Sequence, residues 1–479
     1  RPKVDDHFGD WKWREALAES MVPMIGKLYR NGIRLLMYGR PLINCSAIEI
    51  MKLHRFVREV EGNELSELET YPVIEQISKM KLMPCEIDLG EVVVHLLDND
   101  KLDPIKHVKS MLKEQVRTKR SHPLRPKDIV LYGFGRIGRI LTRILVSETG
   151  PGVNWRLRAV VVRDSGNTED LIKRASLLRN DSVHGTFPGT IRVDRKNNSL
   201  IVNGNEIVFI YANDPKKVDY KKHGIKKATV IDNTGVWRDE DGLKMHIKNP
   251  SVERVVLTAP GKGKIKNIVY GVNDQKVSEG DKILGAASCT TNAIVPALKV
   301  VNDNFKILSG HIETVHAYTN DQNLIDNYHT SDRRGRSAAL NLVITDTGAA
   351  KAISGVMPEL KGKLTANAIR VPTPNVSLAI MHLNVKKGVS VEDLNQCFRN
   401  AAFHSGLRTT IDYSNSLDAV SSDFYSNEFA CVFDSQATIS NFNNITIYCW
   451  YDNEYGYSRQ VARLLNKALG INLVRYPKQ

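Results

Sequence analysis

Apolar residues recur at intervals of three and four in the first part of the chain, the spacing of one face of an α-helix. Three such stripes lie in residues 11–118: Leu17, Met21, Met24 and Leu28; Ile50, Leu53, Val57 and Val60; Ile105, Val108, Leu112 and Val116. The prolines that should divide the segment into short helices are Pro23, Pro41, Pro72, Pro84 and Pro104. The pattern predicts a helical N-terminal extension over 1–126, ending in a basic, proline-containing linker at 119–126.

Beyond this linker the pattern changes to continuous apolar runs separated by turns. A first run, Ile129–Leu131, leads into Gly133-Phe-Gly-Arg-Ile-Gly138 and a helical stretch, and a second run, Leu157–Val162, ends at Asp164. Strand, glycine turn, helix, strand and acid is the order found in the first half of a dinucleotide-binding unit. The alternation predicts a mostly parallel α/β sheet of the Rossmann type.

Polar and apolar residues alternate after Cys289. The runs Gly310–Val315, Val376–Val385 and Ile445–Trp450 have the period of half-buried antiparallel strands. This alternation predicts an α+β domain with a mainly antiparallel sheet. The expected domains are therefore 1–126 for the helical extension, 127–287 for dinucleotide binding, completed by the C-terminal helix 455–479, and 288–454 for the α+β domain, the candidate catalytic domain because it contains Cys289.

Composition narrows the class of protein. No apolar run approaches the roughly 20 residues of a membrane helix, and no secretory leader is recognisable. Six scattered cysteines, without a CxxC pair or a His/Cys metal spacing, favour reduced thiols in the cytoplasm and predict no metal site.

The formal net charge is +14, of which roughly +12 lies outside residues 1–125. A positive field suits phosphorylated, anionic ligands. A basic surface without a specific partner and nucleic-acid binding remain open, although no run of basic residues interleaved with aromatics marks a defined nucleic-acid site.

Three glycines and one acid form the first candidate site. Gly133 permits a tight turn, Gly135 lets a pyrophosphate approach the backbone, and Gly138 lets the helix pack on the strand. Asp164 can accept hydrogen bonds from ribose hydroxyls. The motif alone also occurs in purely structural turns, but the flanking strand and helix favour a dinucleotide site.

A cysteine and a histidine form the second candidate site. Cys289 lies in Ser288-Cys-Thr-Thr-Asn292 ahead of a helical stretch, where the helix dipole favours a thiolate nucleophile. His316 ends a strand-like run. An inert buried cysteine and a structural histidine are the alternatives, and the spacing does not show that the two side chains meet.

Seven segments resemble, in order, the signatures of the glyceraldehyde-3-phosphate dehydrogenase family. They are Asp128–Asp164, Ser288–Asn292, Thr314–Asp321, Asp332–Ala339, Thr345–Ala352, Ala366–Ser377 and Trp450–Ser458. The resemblance covers residues 127–479. It implies phosphorylating oxidation of glyceraldehyde 3-phosphate in glycolysis or gluconeogenesis, by a cytoplasmic homotetramer that uses NAD, with NADP possible.

The resemblance also implies roles for matching residues. Cys289 would attack the aldehyde, and His316 would take the thiol proton and assist hydride departure. The substrate phosphate would lie against Thr319, Asp321 and Arg370. Inorganic phosphate would lie against Ser288, Thr290, Arg334, Thr347 and Gly348. The dinucleotide would lie against Gly133, Phe134, Gly135, Arg136, Ile137, Gly138, Asp164, Thr234 and Thr258, with Asn453 and Tyr457 near the nicotinamide.

Four departures from the family pattern bear on the cofactor. Tyr132 and Arg163 each replace an asparagine, Ser165 replaces a leucine, and 326–332 lacks a proline and has one residue inserted. Arg163 could approach a 2′-phosphate, whereas Asp164 would repel one. The pattern predicts that NAD is used and NADP is tolerated, but the preference stays open.

Two other functions stay open at this point. Erythrose-4-phosphate dehydrogenase resembles this chain through the same cysteine and histidine, but it resolves the thioester with water. Thr347, Gly348 and Arg334 favour the phosphate-using enzyme. A binding protein that keeps a relic dehydrogenase body is the other alternative, which the intact set of Cys289 and His316 disfavours.

Overall fold

The computed structural model describes residues 6–99, 102–117, 126–150, 155–164, 167, 169–471 and 473–478. The chain divides into two compact units. One comprises Arg1–Pro126, Glu148–Asn154 and Ile471–Gln479, and the other Lys127–Ser147 and Trp155–Gly470. None of the described helices combines the length and apolar character needed to cross a bilayer.

The N-terminal unit contains the predicted helices. Its elements are α1 (His7–Arg30), β1 (Ile33–Met37), β2 (Arg40–Pro41), α2 (Ala47–Glu61), α3 (Glu67–Lys79), β3 (Cys85–Asp88), α4 (Leu89–Leu97) and α5 (Pro104–Met111). Capping boxes begin α2 and α3: Ser46 with Glu49, and Ser66 with Glu69. Such reciprocal caps satisfy backbone N–H groups that a helix start leaves unpaired.

Two of the expected details of this unit are wrong. Pro23 and Pro72 lie inside α1 and α3 instead of ending helices, because burial of an apolar face offsets the one hydrogen bond that each proline removes. The third stripe is also interrupted: Val108 and Leu112 are buried, whereas Ile105 and Val116 are exposed. Most of the predicted linker lies outside the described residues.

The N-terminal unit also contains a sheet that the sequence pattern did not predict. Strand β1 pairs antiparallel with β2 and parallel with β3. Asp88, at the end of β3, is fully buried and accepts hydrogen bonds of 2.8 Å from the N–H groups of Tyr38 and Gly39. Strands of four or five residues that include charged side chains, such as β1 and β3, are too short for periodicity to separate strand from helix.

The dinucleotide-binding part has the predicted mostly parallel sheet. Its elements are β4 (Lys127–Tyr132), α6 (Arg136–Glu148), β5 (Trp155–Val162), α7 (Asp170–Arg179), β6 (Ile191–Asp194), β7 (Ser199–Val202), β8 (Asn205–Tyr211), β9 (Ala228–Asp232), α8 (Glu240–Ile247), β10 (Val252–Leu257), β11 (Lys266–Asn267) and β12 (Ile283–Gly285). The strand order is β11-β12-β10-β9-β4-β5-β8-β7-β6, and only β6, β7 and β8 pair antiparallel. The strands β4 and β5 therefore end side by side, next to the glycine turn.

The catalytic part contains a second, mixed sheet. Its elements are α9 (Cys289–Phe305), β13 (Ile307–Ala317), β14 (Val343–Thr345), α10 (Ala349–Val356), β15 (Leu364–Val371), β16 (Ser377–Val385), α11 (Val391–His404), β17 (Ile411–Ser414), β18 (Cys431–Asp434), β19 (Ile439–Asn441) and β20 (Asn444–Tyr451). The order is β14-β15-β13-β16-β20-β18-β17, and β19 pairs with β20. Most neighbours are antiparallel, as expected, but β13 runs parallel to β15. The runs predicted around residues 310, 376 and 445 are β13, β16 and β20.

The segment after residue 454 serves both units. Helix α12 (Tyr455–Ala468) packs through Ala462 on Ile140 and Ile144 of α6, as expected of a helix that completes the dinucleotide-binding domain. Strand β21 (Val474–Tyr476) instead pairs parallel with β3 in the N-terminal unit. Arg475 Nη2 lies 2.6 Å from the buried carboxylate of Asp88. Our assignment of all of 455–479 to the dinucleotide-binding domain is therefore wrong for Ile471–Gln479.

Candidate active site

The cysteine of the candidate site is the first residue of α9. Ser288 caps this helix, and its Oγ accepts a hydrogen bond of 3.0 Å from the N–H of Thr291. Asn292 holds the preceding loop by donating from Nδ2 to the carbonyls of Ala286 and Ser288, at 2.8 and 2.9 Å. These contacts place the thiol of Cys289 at the helix end where backbone N–H groups are unpaired.

His316 reaches this cysteine from the carboxyl end of β13. Its Nε2 lies 3.8 Å from the Sγ of Cys289, and its ring is buried. Its Nδ1 lies 2.7 Å from the carbonyl oxygen of Ala317. An N–H at Nδ1 donated to that oxygen leaves the lone pair of Nε2 towards the thiol. The structure thus brings together two side chains that the sequence alone could not place, as a nucleophile beside a base.

Arg370 lies beside the histidine because β13 and β15 are parallel and place the two residues in register. Its Nη1 is 2.7 Å from Nδ1 of His316 and 3.0 Å from the carbonyl oxygen of Ala317. A guanidinium only donates, so a hydrogen bond from Nη1 to Nδ1 requires the tautomer with the proton on Nε2, whereas the tautomer with an N–H at Nδ1 requires this contact to open. Its Nε is buried and has no hydrogen-bond partner among the described residues, which leaves a donor for an anionic ligand.

Burial controls the protonation of the cysteine–histidine pair. Burial first, and then the positive charge of Arg370, lower the pKa of His316 to about 3. Burial raises the pKa of Cys289, although the hydrogen bond with Thr290 and the charge of Arg370 oppose the shift. We expected the helix dipole to favour the thiolate, but the desolvation of a charged sulfur outweighs it. The resting pair is therefore a neutral thiol and a neutral imidazole, and the imidazole can accept the thiol proton in the tautomer that carries its N–H at Nδ1.

Tyr451 is a site residue that we did not predict. Its hydroxyl lies 3.1 Å from Oγ1 of Thr290, and its ring packs edge-on near His316 with centroids 6.1 Å apart. Burial raises its pKa well above the usual range, so the phenol stays protonated. Tyr451 lies in the Trp450–Ser458 segment, two residues before Asn453, which was predicted to be in the site. This closeness to a predicted site residue was the only indication of Tyr451 in the sequence.

Three of the residues expected to bind phosphate, Thr319, Asp321 and Arg334, are linked to one another. Thr319 donates its hydroxyl to Asp321, and Asp321 Oδ2 lies 3.0 Å from Nη1 of Arg334. Burial alone would raise the pKa of Asp321, but Thr319 and the charges of Arg370 and Arg334 lower it overall. The ion pair joins the two pockets that we treated separately, since Asp321 was assigned to one and Arg334 to the other.

Thr347 and Gly348 lie at the start of α10. Gly348 is the N-cap, and Oγ1 of Thr347 accepts a hydrogen bond of 3.3 Å from the N–H of Ala349. Arg334 is tied to the strand before them, because its Nε donates to Oγ1 of Thr345 at 3.2 Å. A helix N-terminus close to an arginine is suited to an anion such as phosphate.

The glycine turn shapes a cavity of about 400 Å³. Gly133 has a φ of +102°, and a Cβ on Gly138 would lie 2.4 Å from the carbonyl oxygen of Gly133, so both positions require glycine. The cavity is lined by Tyr132, Gly133, Phe134, Gly135, Val161, Val162, Arg163, Arg174, Ala212, Asn213, Thr234, Val236 and Trp237. A cradle of backbone at the strand ends, closed by aromatic and apolar side chains, fits a dinucleotide.

Several residues expected to contact the dinucleotide have other partners or positions. Arg136 forms ion pairs with Asp181, at 2.6 Å, and with Glu454. Thr258 hydrogen-bonds through Oγ1 to the carbonyl oxygen of Asp232, at 3.1 Å. Ile137 and Thr258 do not line the cavity among the described residues. Arg136, although next to the turn, is thus held by carboxylates.

Asp164, which we expected to contact the ribose, does not line the cavity among the described residues. Asp164 is exposed after β5, and the cavity wall in the described part of the chain contains Arg163 in its place. Ser165, the third departure from the family pattern, lies outside the described residues.

The residues expected near the nicotinamide are buried behind the cysteine. Oδ1 of Asn453 accepts a hydrogen bond of 3.1 Å from Oγ of Ser377. The hydroxyl of Tyr457 donates to the carbonyl oxygen of Ala287 at 2.9 Å, directly before the cysteine loop. The contact of Tyr457 ties the Trp450–Ser458 segment to the loop before Cys289. The contact of Asn453 ties the segment to the start of β16 and leaves the amide nitrogen of Asn453 available to a ligand.

The parallel sheet, the glycine turn and the cavity define an NAD(P)-binding oxidoreductase. Two family models match the chain: the NAD binding domain of glyceraldehyde 3-phosphate dehydrogenase over residues 127–240, and the C-terminal domain of the same enzyme over residues 288–453. The chain belongs to the glyceraldehyde-3-phosphate dehydrogenase family. NAD(P) is the cofactor, and the predicted resemblance and fold class are confirmed.

Individual relatives agree with the family models. The chain is 53% identical over 462 residues to a glyceraldehyde-3-phosphate dehydrogenase-like protein of Pseudomonas aeruginosa, which covers 96% of this chain and all of that protein. It is 41% identical over 341 residues to the chloroplastic glyceraldehyde-3-phosphate dehydrogenase B of Pisum sativum, covering 70% of this chain and 72% of the relative. It is 38% identical over 339 residues to glyceraldehyde-3-phosphate dehydrogenase 2 of Bacillus subtilis, covering 70% and 95%. The similarity to the Pseudomonas protein therefore extends into the N-terminal segment.

Proposed function

We propose that this chain catalyses the phosphorylating oxidation of glyceraldehyde 3-phosphate to 1,3-bisphosphoglycerate and the reverse reaction. The observation that carries the proposal is the 3.8 Å approach of Cys289 Sγ to His316 Nε2, beside Arg370, whose buried Nε has no hydrogen-bond partner among the residues that the structure describes. A nucleophile, its base and an anion-binding group are the minimum for acyl transfer on a phosphorylated aldehyde.

The chemistry begins on the cysteine. His316 Nε2 takes the proton of Cys289 as Sγ attacks the aldehyde carbon and passes it to the carbonyl oxygen, which gives a thiohemiacetal. Bound NAD(P) supplies the acceptor for the hydride that leaves this carbon. His316 takes the hydroxyl proton during that departure, and a thioester remains on Cys289. Arg370 holds the substrate phosphate, and its fork geometry suits bidentate binding.

Inorganic phosphate then resolves the thioester. The group of Arg334, Thr347 and Gly348 supports this step, because it offers a charged donor and a helix N-terminus to an anion. The sulfur leaves as a thiolate, which recovers its proton from His316. Attack by phosphate gives an acyl phosphate, whereas attack by water would give the free acid expected of an erythrose-4-phosphate dehydrogenase.

Steady-state rates with glyceraldehyde 3-phosphate and erythrose 4-phosphate, each with and without inorganic phosphate, test the proposal. We expect rapid reduction of the dinucleotide only with glyceraldehyde 3-phosphate and phosphate together. Cys289→Ser should retain less than about a hundredth of the activity, because a hydroxyl is a poor nucleophile without a dedicated base. Cys397→Ser, which changes another partly exposed cysteine, is the matched control. Phosphate-independent turnover of the four-carbon substrate would contradict the proposal.

The proposal includes a cytoplasmic homotetramer. The six free cysteines support a reducing compartment, and the family resemblance supports the tetramer. Light scattering coupled to size-exclusion chromatography of the whole chain measures the mass of the assembly. A mass different from that of four subunits would reject the proposed tetramer.

A further inference from the structure

The wall of the dinucleotide cavity carries two arginines besides the glycine turn. Arg163 follows the end of β5, and Arg174 lies on α7. We propose that these two arginines form a subsite for the 2′-phosphate of NADP, so that the chain binds the phosphorylated dinucleotide more tightly than NAD. The inference rests on the proposed dehydrogenase function and concerns the adenosine end of the same site.

Arg174 is held in place by its neighbours. Its Nε donates to Oδ2 of Asp170 at 2.6 Å, and the same oxygen accepts the hydroxyl of Tyr211 at 2.9 Å. Tyr211 ends β8, in register with Val162 at the end of β5. The guanidinium is thus fixed over the strand ends through Nε, while its two other nitrogens retain donors for a ligand. A prepositioned cation loses little side-chain entropy when an anion binds.

Arg163 occupies the position at which this type of fold distinguishes its two cofactors. An acid at the end of the second strand accepts hydrogen bonds from the ribose hydroxyls of NAD, and an arginine nearby accommodates the 2′-phosphate of NADP. Here the arginine contributes to the cavity wall, whereas Asp164 is exposed outside it within the described part of the chain. Arg163 is itself exposed, so its side chain is able to move onto a phosphate.

The charges support a doubly negative ligand. Asp170 binds both Arg174 and Tyr211, so it offsets only one of the two guanidinium groups. Asp164 is a second carboxylate near them, because its negative charge contributes to the raised pKa of Tyr211, but it lies outside the cavity wall in the described part of the chain. Arginine–phosphate hydrogen bonds are charge-assisted on both sides and are about twice as strong as neutral ones. Two such residues on one wall therefore give a phosphate more than they give a ribose hydroxyl.

Calorimetric titration of the full-length protein with 2′,5′-ADP and with 5′-AMP tests the subsite without turnover. The two probes differ by the 2′-phosphate. We expect 2′,5′-ADP to bind about tenfold or more tightly, a ratio that corresponds to at least one charge-assisted contact. Arg163→Ala and Arg174→Ala should each remove most of this ratio and leave 5′-AMP binding nearly unchanged. Arg179→Ala is the matched control, since Arg179 lies on the same helix but outside the cavity wall among the described residues.

The outcomes separate the inference from the proposed function. Equal affinities for the two nucleotides, or an equal loss in Arg179→Ala, would overturn the subsite. Failure of both nucleotides to bind would overturn the dinucleotide site altogether, and with it the proposed dehydrogenase. Arg174→Ala leaves the carboxylate of Asp170 with one partner fewer and could therefore fail to fold. In that case the exposed Arg163→Ala substitution alone decides the result. In kinetic assays, Arg163→Ala and Arg174→Ala should also lower the ratio of kcat/KM for NADP to kcat/KM for NAD, by about the factor that they remove from the nucleotide affinities.

Discussion

At the scale of single residues, the contact of Arg370 with His316 determines which imidazole nitrogen carries the proton, because Nη1 can donate to Nδ1 only when Nδ1 is unprotonated. Arg370 Nη1 also contacts the carbonyl oxygen of Ala317, and its Nε is buried without a hydrogen-bond partner in the described part of the chain. A phosphate that attracts the guanidinium would free the Ala317 oxygen for the imidazole N–H. That tautomer leaves Nε2 able to accept the thiol proton. Binding of the substrate phosphate and readiness of the base are therefore connected through one arginine.

Arg370→Ala should therefore raise KM strongly for glyceraldehyde 3-phosphate and much less for glyceraldehyde. A charged hydrogen bond contributes roughly 1.5–3 kcal/mol, which corresponds to a KM increase of about ten- to a hundredfold. Steady-state kinetics with both aldehydes measure the difference. Arg333→Ala, an exposed arginine next to Arg334, should leave both values near those of the natural protein. A similar loss with both aldehydes would refute the phosphate contact.

The buried imidazole of His316 should make stability depend on pH. Its pKa of about 3 in the folded chain lies below its ordinary value of 6.5. Below pH 6.5 the imidazole of His316 is protonated in the unfolded chain but stays neutral in the folded chain. The free energy of unfolding therefore falls as the pH falls towards 3. Each pH unit is worth about 1.4 kcal/mol, so lowering the pH from 7 to 5 costs about 2 kcal/mol.

The measurement is denaturant unfolding of the natural protein and of His316→Gln at pH 7 and pH 5. The natural protein should lose about 2 kcal/mol more than the variant, because only it carries this buried group. Other histidines are common to both proteins and cancel in the difference. Equal losses in the two proteins would show that the imidazole is protonated in the fold.

At the scale of elements, two glycines of the β4–α6 turn should respond differently to the same substitution. A Cβ on Gly138 would meet the carbonyl oxygen of Gly133 at 2.4 Å, whereas one on Gly135 has no atom within 4 Å. Gly138→Ala should therefore destabilise the domain. Gly135→Ala should fold normally but bind dinucleotide weakly, because its methyl group occupies the space into which the pyrophosphate comes.

Thermal unfolding and nucleotide titration of the two variants separate these effects. We expect a lower Tm for Gly138→Ala only, and weaker nucleotide binding at an unchanged Tm for Gly135→Ala. Gly355→Ala, in α10 with open space around it, controls for adding a methyl group elsewhere. Normal binding by Gly135→Ala would place the pyrophosphate away from this turn.

The elements that the sequence predicted are those with a long hydrophobic pattern or with glycines at a characteristic spacing. The order of strand, glycine turn and helix at 129–146 and the alternating runs of the second sheet are both present. Strands β1 and β3 were missed because four or five residues with charged side chains among them fit a helix as well as a strand. The contact of Cys289 with His316 and the position of Tyr451 were out of reach, since a sequence carries no distance between residues far apart in the chain. The raised pKa of the cysteine depends on burial, which the local motif does not report.

At the scale of the whole molecule, the N-terminal unit depends on residues from the far end of the sequence. Arg475→Ala should lower the stability of this unit by about 1.5–3 kcal/mol, because the buried carboxylate of Asp88 then loses a charged partner. Hydrogen exchange of the amides in β1 and β3 measures the effect. Lys478→Ala, which removes an exposed ion pair with Glu114, should change it little. Unaltered exchange in Arg475→Ala would show that the ion pair is dispensable.

We expect the N-terminal unit to act in assembly or regulation rather than in catalysis. The proposed nucleophile, base and dinucleotide cavity all belong to the other unit. A shortened chain of residues 127–470 tests this, because a cut at Pro126 alone would leave β21 without its partner strand. We expect it to retain catalysis but to change in subunit number or Tm. If all three properties match those of the full chain, the unit is an independent module.

The pairing of β21 with β3 also has a consequence for biosynthesis. The ribosome releases Cys85–Asp88 long before Val474–Tyr476, a delay on the order of tens of seconds at typical elongation rates. During that interval β3 lacks its parallel neighbour, and the carboxylate of Asp88 lacks its arginine. The first unit to be translated is consequently among the last to be completed, and a nascent chain arrested before residue 474 would present an open sheet edge to chaperones and proteases.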